Sequence, residues 1–277
     1  MAEKIRLIAF DLDGTLLDDG KALPERNRRA LEAAGEAGIW LVPATGRIPA
    51  GMPEPLRGLK GLRWGILSNG AEIYDFEEER IVAREEIPLY TALAVLDHAE
   101  ALGLFYDCYQ DNWGYMTAAL LAQAPVFMKD YPGILDLLLR LRTPVPELRA
   151  WLREKGERVQ KLQMYFTDLP LRERLLRELP ERFPSLSFTS SLPVNIEINS
   201  ARANKGQALR TLCSLLGLRR EETLAFGDGS NDLTLLREAG IGVAMSNAFP
   251  DVLAAADRVT GTNNDAGVAP GIEELLA

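Results

Sequence analysis

Ile5-Arg6-Leu7-Ile8-Ala9-Phe10-Asp11-Leu12-Asp13-Gly14-Thr15-Leu16 is the stretch whose reading decides how the chain folds. Ile5 to Phe10 is a compact apolar run with Arg6 as its only charge, long enough for a buried strand and too short for a helix. It ends on two aspartates two positions apart and a glycine, where open α/β sheets place their ligands. Ionised carboxylates crowded at a strand end repel one another, so the pair calls for a cation. Taken alone, the same residues also suit an ordinary turn, in which Asp is favoured.

Working outward, Ala30, Ala33, Ala34 and Ala37 recur at helical spacing among Arg28, Arg29, Glu32 and Glu36, which predicts an amphipathic helix. Gly38 stands where that helix would stop, and Ile39 to Ala44 resumes as a strand. Strand, helix, strand implies a parallel pair. The last eighty residues repeat the rhythm. Ala208, Leu209, Leu212, Leu215 and Leu216 form one helical face, and strands are expected at 223–226, 241–244 and 258–260, with helices at 231–238 and 248–256 between them. The two ends of the chain therefore read as halves of one doubly wound parallel sheet, a Rossmann-like α/β core. From about Arg84 to Pro193 the order changes to α+β, with helices at 89–101 and 171–182 and strand-like stretches at 104–109, 113–117, 159–167, 186–190 and 194–198. The expected organisation is a core of 1–83 and 194–277, with 84–193 as an inserted second domain.

Composition narrows the chemistry. The 277 residues are 47% hydrophobic, with 40 acidic against 31 basic side chains and a net charge of -9. That balance argues against a nucleic-acid groove, which needs a basic footprint. His98 is the only histidine, so mechanisms and metal sites built on two imidazoles are excluded. It falls on a helix of apolar spacing, which favours a structural role. Cys108 and Cys213 can form at most one bridge, which points to a reducing compartment. No stretch approaches the ~18 apolar residues of a membrane helix, and the short apolar run at the N-terminus does not suit a signal peptide. A cytoplasmic protein is expected, without membrane or nucleic-acid partners, as a monomer or weak homodimer.

Three further segments share the pattern of strand end, glycine and helix start. Ala44-Thr45-Gly46-Arg47 offers a hydroxyl, a close backbone approach and a guanidinium, all suited to a phosphate oxygen. Asn204-Lys205-Gly206 puts a cation at a helix N-terminus, where the macrodipole disfavours it unless an anion lies between. Gly227-Asp228-Gly229-Ser230-Asn231-Asp232 adds two more carboxylates at a strand end. Singly, each also reads as a plain turn or a solvated surface. Together they supply hard oxygen ligands for magnesium, with a hydroxyl and an ammonium for a phosphoryl group.

Asp11-x-Asp13-Gly14-Thr15, then Thr45, then Lys205, then Gly227-Asp228-x-x-Asn231-Asp232 resemble, in order, the four motifs of the haloacid dehalogenase superfamily of phosphohydrolases. The spacing is similar to that of its Cof-type subfamily, which carries a large α+β cap between the second and third motifs. Ser68-Asn69-Gly70-Ala71, Gly242 to Ala248, Ala256-Asp257 and Asn264-Asp265-x-Gly267-Val268 extend the likeness, with Ser246 where the subfamily usually has glycine. The resemblance implies a magnesium-dependent phosphatase acting on a small phosphorylated metabolite such as a sugar phosphate. Asp11 would be the nucleophile, forming an aspartyl-phosphate, and Asp13 the acid and base. Magnesium would be held by Asp11, the Asp13 main-chain carbonyl, Asp228 and Asp232. Thr45, Gly46 and Lys205 would bind the phosphoryl group, with Asn231 orienting Lys205 or a phosphate oxygen and Arg47 reaching the substrate or the cap. A phosphomutase of the same superfamily and a non-catalytic sugar-phosphate-binding protein remain the alternatives.

Overall fold

In the computed structural model, which describes residues 4–156, 158–190 and 192–277, the strand Leu7–Phe10 lies between Thr223–Gly227 and Trp40–Pro43, parallel to both. Ile241–Ala244 and Arg258–Val259 complete a five-stranded, all-parallel sheet on the Thr223–Gly227 side. Leu7, Ile8, Ala9 and Phe10 are all at 0% exposure, which explains why the run is continuously apolar and does not alternate. Alternation still sorts them. Ile8 and Phe10 join one core with Leu31, Ala34 and Ile272, while Leu7 and Ala9 join another with Leu209, Leu212 and Leu235. Truncating Phe10 to alanine would leave a cavity worth ~3–5 kcal/mol.

The helix predicted around Ala30 spans Glu25–Glu36, and Gly38 follows it with φ of +81°. The sheet runs further than the sequence suggested. A parallel bridge from Ala44 to Ile66 leads to an antiparallel arrangement of Trp64–Leu67, Glu72–Asp75 and Arg80–Arg84. Its buried Glu72 and Asp75 obscure the apolar pattern, and Asp75 is paired with Arg63 at 2.7 Å.

The chain divides into two compact units: one holds the residues up to Arg47 with Met52–Arg84 and Ala203–Ala277, the other Ile48–Gly51 with Glu85–Arg202. The second unit has a six-stranded sheet in the order Leu186–Thr189, Asn195–Ser200, Lys161–Tyr165, Phe105–Gln110, Trp113–Thr117, Arg142–Val145. All its neighbours are antiparallel except the last pair. Helices Leu89–Ala101, Leu148–Lys155 and Leu169–Arg182 supply Val95, Leu152 and Leu175 to a core with Cys108, Leu162, Met164 and Ile198. Asn195–Ser200 is hydrogen-bonded on both sides within this sheet, so the chain leaves the second unit after Arg202 and not after the expected residue 193. Strand pairing is non-local, and the apolar spacing of 194–198 could not reveal its partners. The strand Arg142–Val145, which contains Pro144 at the sheet edge, and the helices Pro132–Leu141 and Leu148–Lys155 were not anticipated either. Both cysteines are buried free thiols. Among the described residues, no helix is long and apolar enough to cross a membrane.

Candidate active site

The carboxyl ends of the parallel strands bring three of the predicted segments to one point. Asp11 leaves the Leu7–Phe10 strand with its N–H donated to the Phe226 carbonyl (3.1 Å). Carboxylate oxygens of Asp11, Asp228 and Asp232 lie within 4.8 Å of one another. Lys205, at 0% exposure, reaches between them, with Nζ 2.7 Å from Asp11 Oδ1 and 2.6 Å from Asp232 Oδ1. It occupies the first position of the helix Lys205–Leu216, capped by the Asn204 side chain, which accepts the Gln207 N–H at 2.8 Å. Gly70, at φ +94°, lets this turn approach, because a Cβ there would stand 2.4 Å from the Asn204 carbonyl.

Asp232 also fastens its own loop, since Oδ2 accepts the N–H groups of Asp228 (3.0 Å) and Gly229 (2.9 Å). Asp228 Oδ1 accepts the Thr15 hydroxyl at 2.6 Å. Burial, reinforced by Asp232, pushes Asp228 up from 3.8 to about 6. Asp11 is pushed well above its ordinary value by burial and by its three aspartate neighbours, against the opposing charge of Lys205. Burial would strip the proton from Lys205, but Asp11 and Asp232 hold it on.

Two of the three carboxylates therefore bond one ammonium, and the third takes the Thr15 hydroxyl. Oxygen-only donors in a largely buried, net-negative cluster suit a hard divalent cation, so the residues fit magnesium. The Asp13 carboxylate stands apart from the trio. Arg47 grips it with Nε on Oδ2 (2.8 Å) and Nη2 on Oδ1 (2.7 Å), and Lys21 Nζ lies 2.9 Å from Oδ1. Burial alone would raise its pKa, yet these contacts bring it down to about 2.

The remaining predicted residues fall nearby. Thr45 is buried, with its N–H on the Ile66 carbonyl (2.8 Å) and its Oγ1 accepting the Arg47 N–H (3.2 Å). At Gly46 a Cβ would lie 2.9 Å from Asn69 Oδ1, and that same oxygen accepts Asn231 Nδ2 at 3.1 Å. Asn231 thus bonds Asn69, and Arg47 bonds Asp13. Sequence reasoning gave no role to Asn69, Thr15 or Lys21. Asn69 had a signal, since it sits in Ser68-Asn69-Gly70 and is held left-handed at φ +61° with its N–H on the Thr45 carbonyl (3.0 Å). His98 ends the Leu89–Ala101 helix in the second unit, where burial and Arg182 push its pKa down.

The fold and this site define a class. The chain belongs to the haloacid dehalogenase-like hydrolases, whose family profile matches residues 8–272, and it is a phosphatase of that family. It is 32% identical to the 5-amino-6-(5-phospho-D-ribitylamino)uracil phosphatase YcsE of Bacillus subtilis, over 98% of this chain and 96% of that one. Among solved structures, a haloacid dehalogenase-like hydrolase from Bacteroides thetaiotaomicron superposes with a TM-score of 0.81 at 29% identity, covering 98% of this chain and 100% of the other. A sugar phosphatase of subclass IIB gives 0.81 at 26% identity, covering 97% and 98%.

Proposed function

We propose that the protein is a magnesium-dependent phosphatase that hydrolyses a small phosphorylated metabolite, a sugar phosphate by preference, with the second unit serving as the family's cap domain. The observation that carries this is the cluster of Asp11, half-buried Asp228 and Asp232 beside the buried Lys205. Magnesium would be held by these three carboxylates with the Asp13 main-chain carbonyl, and when bound it supplies charge neutralisation to the phosphoryl oxygens. Asp11 attacks phosphorus while the bond to the leaving oxygen breaks, giving an aspartyl-phosphate that water then hydrolyses. Asp13 gives a proton to the leaving oxygen and afterwards takes one from that water. The grip of Arg47 and Lys21 favours the proton-accepting form, so the first step requires one of them to release an oxygen. Lys205 and Thr45 bind the phosphoryl oxygens, and Lys205 stabilises the charge that develops on them. The preference for sugar phosphates rests on the subclass IIB sugar phosphatase.

A panel of phosphorylated metabolites, assayed for phosphate release with and without magnesium, tests the reading. Asp11→Asn should lower turnover by roughly four orders of magnitude or more, as loss of a nucleophile does. Retained activity would sink the assignment. Isomerised product without net phosphate release would favour a phosphomutase, and binding without turnover a sugar-phosphate-binding protein.

A further inference from the structure

Loops following three strands of the parallel sheet, Leu7–Phe10, Ile241–Ala244 and Arg258–Val259, are joined by asparagine side chains that the proposed reaction does not use. Asn247 donates Nδ2 to the Gly14 carbonyl (2.8 Å) and accepts the Asn263 N–H through Oδ1 (3.0 Å). Asn263, only 2% exposed, donates Nδ2 to the Leu17 carbonyl and to Asp19 Oδ1, both at 3.1 Å. Asn264 exchanges two bonds with Asp19, giving Nδ2 to Oδ2 (3.0 Å) and accepting the Asp19 N–H (3.1 Å). The segment they hold, residues 12–22, is the one that meets Asp228. Thr15 donates its hydroxyl to that carboxylate, and a Cβ on Gly14 would stand 2.4 Å from Asp228 Oδ2. Phe249, two positions beyond Asn247, donates its N–H to the Asp228 carbonyl (3.1 Å).

We propose that Asn247, Asn263 and Asn264 are positioning residues for the metal pocket, strapping residues 12–22 so that Gly14 and Thr15 fix the Asp228 carboxylate for its ligand role. The inference rests on the reading of Asp11, Asp228 and Asp232 as the metal site. Asparagine suits the task because one neutral side chain both donates to a carbonyl and accepts from an N–H. An acidic residue could not donate, and it would add charge beside a cluster already in excess. Partners that orient a ligand matter to affinity although they never touch the ion.

Asn247→Ala and Asn264→Ala, at exposed positions, and the more severe Asn263→Ala should be compared with the wild-type full chain. Amide hydrogen exchange and magnesium calorimetry are the readouts. Exchange within 12–22 should quicken about tenfold, as expected for one lost hydrogen bond, while Leu7–Phe10 and Thr223–Gly227 keep their protection. Magnesium should bind about tenfold more weakly in the same variants, the lower end of the range for partners of metal ligands. Unchanged exchange in 12–22 overturns the strap. Faster exchange with unchanged magnesium affinity overturns its positioning role, whatever happens to thermal stability. A wild-type chain that binds no magnesium overturns the metal reading itself, and this is seen before any variant is measured.

Discussion

In the second unit, Arg142 donates to Asp107 (2.8 Å) and Lys161 to Glu197 (3.3 Å), all four buried on one sheet face with Tyr109, Gln163 and Tyr165. Cations and carboxylates are equal in number there. In the first unit, among the described residues, Asp11, Asp228 and Asp232 have Lys205 as their one cation. Both arrangements are buried and hydrogen-bonded, and both require costly desolvation. They differ in what completes them. A buried charge already matched within the chain belongs to the packing, whereas a carboxylate cluster left in excess awaits a cation from solution.

The largest break in this comparison is Lys205→Ala. It should lower kcat roughly 10²–10³-fold, the range for losing one preorganised donor to a developing charge, and it should also destabilise the metal-free protein in denaturant titrations. Arg142→Met should act through stability, costing about 3–5 kcal/mol because Asp107 is left buried and unpaired. Adding Asp107→Leu should recover most of that loss. A double variant no more stable than Arg142→Met would show that the second unit's pairs are not self-contained.

Proton competition sharpens the contrast next. Asp228 keeps its proton to about 6 in the folded, metal-free chain but loses it near 3.8 when unfolded, so the folded state binds more protons between those values. Metal-free stability from this group is therefore full below 3.8 and declines as pH rises toward 6. Magnesium must displace that proton, and any held by Asp11, whose value burial also raises, so its affinity should fall by at least about tenfold per pH unit below 6. A flat magnesium affinity between pH 5 and 7 by calorimetry would contradict this. The smallest effect is expected for Thr15→Val, which removes one hydroxyl from Asp228 and should cost ~1 kcal/mol. Thermal unfolding with and without magnesium would read it.

The first unit was legible from sequence because its strands are short apolar runs closed by glycines, and because each run delivers its polar residue directly afterwards. Asp11, Lys205, Asp228 and Asp232 are brought together by the backbone alone, and the order of elements sufficed to place them. Asn231 and Arg47 have long or amide-bearing side chains that can satisfy several neighbours, so the sequence could not show their bonds to Asn69 and Asp13. The second unit was less legible. Its sheet has a polar face, with Asp107, Lys161, Gln163 and Glu197 inside strands, so burial and hydrophobicity part company there. Tyr109 and Tyr165 are buried in that network, and the rings of Tyr115 and Trp151 pack with centroids 3.8 Å apart.

The first unit is built from separated lengths of chain, and this governs the order of events as the polypeptide emerges from the ribosome. Thr15 and Asp228, joined by a hydrogen bond, are 213 positions apart. Glu85–Arg202 is synthesised before the strand Thr223–Gly227 exists to dock on Leu7–Phe10. Until then Leu7–Phe10 lacks one of its two neighbours, and its apolar residues are available to chaperones or to aggregation. A second unit that has already collapsed shortens the effective loop that must close, and so reduces the entropic cost of bringing the two ends together. Nascent chains arrested before residue 223 should therefore present the Leu7–Phe10 strand as a chaperone-binding segment, and chains arrested well after residue 244 should not.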